Sequence, residues 1–312
     1  MSEFTVMMLG PEAVGKTTLL ATMYKELNKM KSYARFSFYA TNDTGIDLET
    51  AYQKLSRIID QPTFTSISPL LEGTAGIISH RFEIAFKDRR ELDIVFCDIA
   101  GGLVNVRASD QDFQKFQELL NSASVIINVI DGAVLMEGSD IFCDKVNKPS
   151  RIRDLLRPAL LDKQSHLILF VITKCEAWLN NSEGRAKLLR KFDERFREVI
   201  HLIEDQSNAV GVVIPVKTLG CVEFSRMEKD DGEEKAVFVR RANKKFEPEF
   251  TEQPLRYALS FVLSERDKNR KWWEKMLRAW DPSFRESLLQ FVKERDTTYK
   301  TYGNVQLTKI FG

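Results

Sequence analysis

Short apolar runs recur along the chain at 4–9, 80–86, 92–97, 124–130, 166–172 and 209–216, each of a length suited to a buried strand. Between several of them the apolar residues return at helical spacing. Phe113, Phe116 and Leu120 fall on one face, as do Leu189, Phe192, Phe196, Val199 and Ile203. Strands alternating with helices predict an α/β fold, a mostly parallel sheet covered by helices on both faces in three α/β/α layers. Segments 81–86 and 92–97 are separated by only a short charged loop at 87–90, which predicts a hairpin and one antiparallel edge strand.

Two stretches exceed what such a fold needs. The first, about 32–73, contains a strand-like 35–39, a helix-like 48–59 and a tail with proline and threonine. The second follows residue 220, where 222–227 and 236–240 flank a charged tip at 228–235 and predict a long hairpin with a solvated tip. A helix is expected from about 255, and another after Asp281-Pro282, with Phe284, Leu288, Phe291 and Val292 on one stripe. Trp272 and Trp273 are expected to anchor that packing rather than a partner. The boundaries that follow are 1–280 for a nucleotide-binding domain, with inserts at about 32–73 and 222–240, and 281–312 for a C-terminal helical extension.

Composition narrows the class. The 312 residues are 43% hydrophobic and 29% charged, an ordinary globular balance. With 46 basic and 45 acidic residues the net charge is +1, so no global field draws the chain to nucleic acid or an acidic membrane. Cys97, Cys143, Cys175 and Cys221 form no C-x-x-C pair, and only 3 histidines are present, so buried free thiols are expected rather than zinc. No uncharged apolar run approaches the length of a membrane span and no secretory leader is evident, so a cytoplasmic protein is expected.

The chemistry begins at residues 10–17, Gly-Pro-Glu-Ala-Val-Gly-Lys-Thr, which fit G-x-x-x-x-G-K-[ST]. An apolar strand leads in and a helical pattern leads out, the setting that lets backbone N–H groups and a helix dipole cradle phosphates. Gly10, Glu12, Ala13, Val14, Gly15, Lys16, Thr17 and Thr18 are the candidate phosphate-binding residues. Lys16 would reach the β and γ phosphates, and the Thr17 hydroxyl would ligate Mg²⁺. A strand ending in Asp98-Ile-Ala-Gly101 supplies a second motif. Asp98 would hold Mg²⁺ through water, and the Gly101 amide would donate to a γ-phosphate oxygen. A threonine closing over the metal and the γ phosphate is expected shortly before the hairpin. Thr74, in Leu-Glu-Gly-Thr-Ala-Gly at 71–76, is the candidate, with Thr63 and Thr65 as rivals. Lys16, Thr74 and Gly101 are thus the candidate catalytic residues, and Thr17, Asp98 and Thr74 the candidate metal ligands. The strand 166–172 runs into Thr173-Lys174-Cys175-Glu176, where a carboxylate would accept from guanine's ring-edge donors while the lysine stem covers the base. A softer loop at Val216, Lys217 and Thr218 would press backbone amides against the base.

In this order, the motifs resemble those of the TRAFAC class of small P-loop GTPases. The long insert before the first switch, the Asp-Ile-Ala-Gly ending and the later hairpin look like the bacterial double-GTPase family, a resemblance covering about residues 3–280. It implies GTP and GDP with Mg²⁺ as ligands, a switch cycle, and an effector or companion GTPase as partner in a bacterial conflict or defence system. No nucleic-acid partner and no integral membrane segment are implied. Three departures bear on mechanism. Gly102 stands where related switches carry a glutamine that positions water, and Gln111, Gln114 or Arg107 would have to substitute. Glu12 occupies a loop position usually kept small, and Glu176 replaces the usual aspartate. Slow hydrolysis is therefore expected, with a non-hydrolysing binding module or an ATP-using P-loop enzyme as alternatives.

Overall fold

The computed structural model describes residues 2–29, 36–59, 63–65, 77–87, 89–99, 111–161, 164–230, 233–264 and 282–309. The chain runs β1 (Ser2–Leu9), α1 (Lys16–Lys29), β2 (Ser37–Ala40), α2 (Asn42–Ile59), β3 (Thr63–Thr65), β4 (Ile77–Phe86) and β5 (Arg89–Ile99). It continues through α3 (Gln111–Ser122), β6 (Val125–Asp131), α4 (Gly132–Glu137), α5 (Asp140–Asn147), α6 (Pro149–Leu160) and β7 (His166–Thr173). Then come α7 (Ser182–Arg195), α8 (Arg197–Glu204), β8 (Ala209–Pro215), β9 (Val222–Asp230), β10 (Glu233–Arg240), α9 (Gln253–Ser264), α10 (Pro282–Lys293), β11 (Thr301–Gly303) and α11 (Val305–Thr308).

Eight strands form one sheet in the order β11-β8-β7-β6-β1-β5-β4-β2. β5, β1, β6, β7 and β8 pair in parallel. β6, β7 and β8 are buried along their whole length, as strands covered on both faces must be. Alternation then sorts the core. Val125, Ile127 and Val129 join α1, α9 and α10 on one face, while Ile126 and Ile130 join α3 to α8 on the other. This is the expected three-layer sandwich. The antiparallel pairing falls at both margins. β11 is an antiparallel edge strand on β8, and β4 opposes β5 with β2 outside it.

The inserts depart from their expected outlines. The helix expected at 48–59 starts at Asn42, where the short polar residues after β2 suit a helix start. The charged tip expected to be a solvated loop is mostly paired strand, since β9 and β10 match Lys229 with Glu234 and Glu228 with Lys235. Opposite charges face one another across both rungs, which lets so polar a hairpin hold its ladder. β3 pairs antiparallel with β10, Val237 opposite Thr65, Phe238 opposite Phe64 and Val239 opposite Thr63. The two inserts therefore share one three-stranded sheet, β3-β10-β9. Within 281–312, the stripe Phe284, Leu288, Phe291 and Val292 packs into the first core face, and β11 extends the main sheet. Trp272 and Trp273 lie outside the described residues. All four cysteines are buried free thiols, and among the described residues no helix is long and apolar enough to cross a membrane.

Candidate functional site

The loop between β1 and α1 turns through backbone that side chains disfavour. Gly10 (φ 148°) and Gly15 (φ 100°) lie at positive φ, and Ala13 joins them at 63°. A Cβ on Gly10 would meet the Val129 carbonyl at 2.9 Å, so the first glycine is needed for close passage beside β6 as well as for its dihedral angle. Val14 is fully buried, Glu12 and Ala13 are exposed, and Thr17 and Thr18 are partly buried in the first turn of α1. Lys16 is 7% exposed, and its ammonium donates to the carbonyls of Gly10 (2.8 Å) and Pro11 (3.1 Å). Burial lowers its pKa, opposed by the negative charges of Asp98 and Glu12. The lysine is thus folded over the loop that it would share with a phosphate tail.

Asp98 closes the other side. The parallel register sets it beside Met8, one strand over from the loop's entry, and it is fully buried. Thr74 and Gly101 lie outside the described residues, as do Gly102 and Arg107. The rival threonines Thr63 and Thr65 are in β3, paired with β10 rather than beside Asp98 in sequence register. Gln111 and Gln114 are exposed on α3. Among the described residues no three His, Cys, Asp or Glu side chains cluster to hold a metal. Mg²⁺ fits the donors present, because it takes one or two protein ligands and completes its shell with water and substrate phosphate oxygens.

At the tip of β7 the Thr173 hydroxyl reaches the carbonyls of Val14 (2.6 Å) and Ile130 (3.1 Å), tying the Thr173–Glu176 motif to the phosphate loop. Lys174 adopts a left-handed backbone (φ 54°), and its ammonium donates to the Ala13 carbonyl (2.8 Å) and to Asp131 Oδ2 (2.5 Å). Asp131 was not singled out from the sequence. It is 2% exposed, and its Oδ1 also accepts from the Val134 amide at the start of α4 (3.0 Å). Asn147 clamps its main chain, accepting from the Asp131 amide (2.8 Å) and donating to its carbonyl (3.2 Å). Gly132 was missed as well, and a Cβ there would meet the Thr173 carbonyl at 2.5 Å and Cys175 Sγ at 2.8 Å. The available signal was an aspartate ending the 124–130 apolar run with glycine directly after it.

Glu176 is 5% exposed, and its Oε1 accepts from the amides of Leu219 (2.9 Å) and Gly220 (3.4 Å). Burial raises its pKa, opposed by those amides and its own. Of the three residues expected to offer amides to a base, two have theirs in use. Val216 donates to the Ile172 carbonyl (2.9 Å) and Lys217 to the Glu249 carbonyl (3.0 Å). Among the described residues this leaves the Thr218 amide. The later hairpin stands close by, with the Lys174 ammonium 6.0 Å from the centre of the Phe238 ring.

A phosphate loop at the tip of β1, a buried aspartate on the adjacent parallel strand and a lysine-bearing turn at the tip of β7 define a P-loop nucleotide-binding domain. The chain belongs to the Double-GTPase 2 family, whose model matches residues 5–211. Membership makes this a guanine-nucleotide-binding domain. No curated protein matches the chain. The family match ends within β8, so the Val216–Thr218 loop, the β9–β10 hairpin and the C-terminal elements lie beyond it.

Proposed function

We propose that this chain is a guanine-nucleotide switch that hydrolyses GTP to GDP and phosphate, slowly unless a partner assists. The observation that carries the reading is the Lys16 ammonium, buried against the phosphate loop's own carbonyls with Asp98 and Glu12 supplying the nearby negative charge. A triphosphate tail would draw the amine off those carbonyls and along its β and γ oxygens, where positive charge counts most as the γ phosphoryl departs. Thr17 and Asp98 would hold Mg²⁺, whose charge screens the same oxygens. Thr173 would keep the loop in register with the base-reading turn, and Lys174 would cover the base with its stem. Thr74 and the Gly101 amide are assigned to γ-phosphate sensing from sequence alone, as are the domain limits 1–280 and 281–312.

Gly102 favours slow chemistry, because it has no side chain with which to orient water. The expected intrinsic rate is roughly 10⁻⁴ to 10⁻³ per second, that of an unassisted switch. A companion GTPase or effector in a bacterial conflict system is the partner that the family's character suggests, and a cytoplasmic setting accords with it. The second reading, a binding module with negligible turnover, is favoured by Gly102 together with Glu12, whose carboxylate sits in the loop that must receive phosphate. Single-turnover phosphate release from GTP with Mg²⁺ distinguishes them. Slow release that falls to background in Lys16→Ala supports the switch. Release that is equal in wild type and variant refutes the site, and bound GTP that persists uncleaved even with partner present supports the module.

A further inference from the structure

Glu176 is the residue that would meet guanine's N1–H and 2-amino donors, and the loop that carries Thr218 is tied to it. Leu219 and Gly220 donate their amides to its Oε1 at 2.9 and 3.4 Å. The same loop is backed by the 241–250 segment. The Glu247 amide donates to the Leu219 carbonyl (3.2 Å), and Lys217 and Glu249 exchange backbone hydrogen bonds at 3.0 and 2.9 Å. Gly220 sits at φ 70°, and a Cβ there would strike the Glu247 carbonyl at 2.0 Å, so loop and segment are pressed together. Residues 241–250 form neither helix nor strand beyond the single bridge at Glu249. Where the segment lies therefore depends on the groups packed against it.

One such group comes from the first insert. Tyr52 of α2 stacks on Phe246, with ring centroids 4.8 Å apart and planes 24° from parallel. Both residues are partly buried. α2 is itself fixed elsewhere. Lys25 of α1 pairs with Glu49 (2.6 Å), and its ammonium lies 4.7 Å from the centre of the Tyr52 ring. Where α2 begins, the Thr44 hydroxyl accepts from the Arg81 amide (3.0 Å) and the Thr41 amide donates to the Arg81 carbonyl (3.0 Å). α2 is therefore a strut, with its start on β4 and its middle on the segment behind the base loop. We propose that Tyr52 and Phe246 are positioning residues for the base site, through which the first insert sets how long a guanine nucleotide is retained. The proposal rests on the guanine reading above and adds to it the place from which release is controlled. The links run from Tyr52 to Phe246, from its neighbour Glu247 to Leu219 and Gly220, and from their amides to Glu176. Tyr52 lies within the family match and Phe246 beyond it, so the contact joins the shared domain to what this chain carries after it.

The test is release of fluorescent GDP from the full chain with Mg²⁺, chased by unlabelled GDP, together with competition of GTP and ATP for the same site. In Tyr52→Ala release should be about three- to tenfold faster, the scale of one aromatic pair. The preference for GTP over ATP should narrow by a similar factor, because Glu176 is matched to guanine's donors. Tyr52→Phe keeps the stacked ring and should behave as wild type. Phe246→Leu keeps apolar cover without the stack and should match Tyr52→Ala. The double variant should release no faster than either single one, since both remove the same contact. Wild-type release and preference in folded Tyr52→Ala overturn the proposal. Faster release with an unchanged GTP-to-ATP ratio overturns it too, because the effect then lies on the phosphate loop through Lys25 and α1. Should Tyr52→Ala fail to fold, Phe246→Leu decides by the same two readings. A wild-type chain that binds GTP and ATP alike, or neither, refutes the guanine reading and the proposal with it.

Discussion

At the candidate phosphate end, residues 10–17 would work through the main chain. Glycines open the turn, and the candidate side chain, Lys16, rests on carbonyls of the same loop. At the candidate base end the residues that would meet a base are side chains that some other side chain or insert holds in place. Lys174 is fixed by Asp131, Asp131 by Asn147, Glu176 by the 219–220 amides, and those by the 241–250 segment. A main-chain site needs only the right turn, and so it is compact in sequence. A side-chain site needs supports, which are gathered here from elements far apart along the chain. Tail binding should therefore be simple to abolish and hard to retune, whereas base choice should shift through changes well away from the base.

The largest effect expected at the base end comes from Asp131→Ala, which strands a Lys174 ammonium that is 16% exposed and removes the cap of α4. Breaking one partner of so buried a pair should cost about 3–5 kcal/mol, read as a lowered denaturant midpoint. Thr173→Val acts on the join between the two ends. It deletes the hydroxyl bridging Val14 and Ile130 and should cost about 1–2 kcal/mol. Nucleotide titration of that variant should show GTP and ATP weakened together, since the phosphate loop loses its register; loss confined to GTP would show the ends to be independent.

The smallest effect is one of pH. Burial places the Glu176 pKa above 4.5, so the folded protein holds that proton more tightly than the unfolded chain. Its contribution to folding is fully present below the unfolded value and is lost as pH rises through the raised one. Binding runs the other way, because the carboxylate accepts from N1–H more strongly than the protonated acid does. The ratio of GTP to ATP affinity, in which the phosphates' own titration cancels, should shrink as pH falls toward that raised pKa. A ratio that stays constant down to pH 4.5 would remove Glu176 from base reading.

This division also explains what could be read from the chain itself. The loop 10–17, the strand ending at Asp98 and the run into Thr173–Lys174 were legible because each is a local pattern whose meaning is set by neighbouring residues. The parallel core was legible too, since β6, β7 and β8 are almost wholly apolar runs. Asp131, Gly132 and Asn147 were not, because their roles arise from approach in space: an aspartate before a helix looks like any cap until Lys174 is laid against it. The amides of Val216 and Lys217 were expected at the base because nothing local shows that Ile172 and Glu249 already hold them. β3 and β11 escaped for another reason. Each is three residues long, below the length at which alternation is informative.

The shared β3-β10-β9 sheet bears on how this domain can be trimmed or can change by descent. Residues 63–65 make a strand too brief to persist alone, and their ladder is supplied by chain some 170 positions later, in β10. Excising 222–240 to obtain a minimal domain would leave that strand unmatched immediately ahead of the stretch carrying Thr74. The two accessories therefore form one unit, to be kept or dropped together.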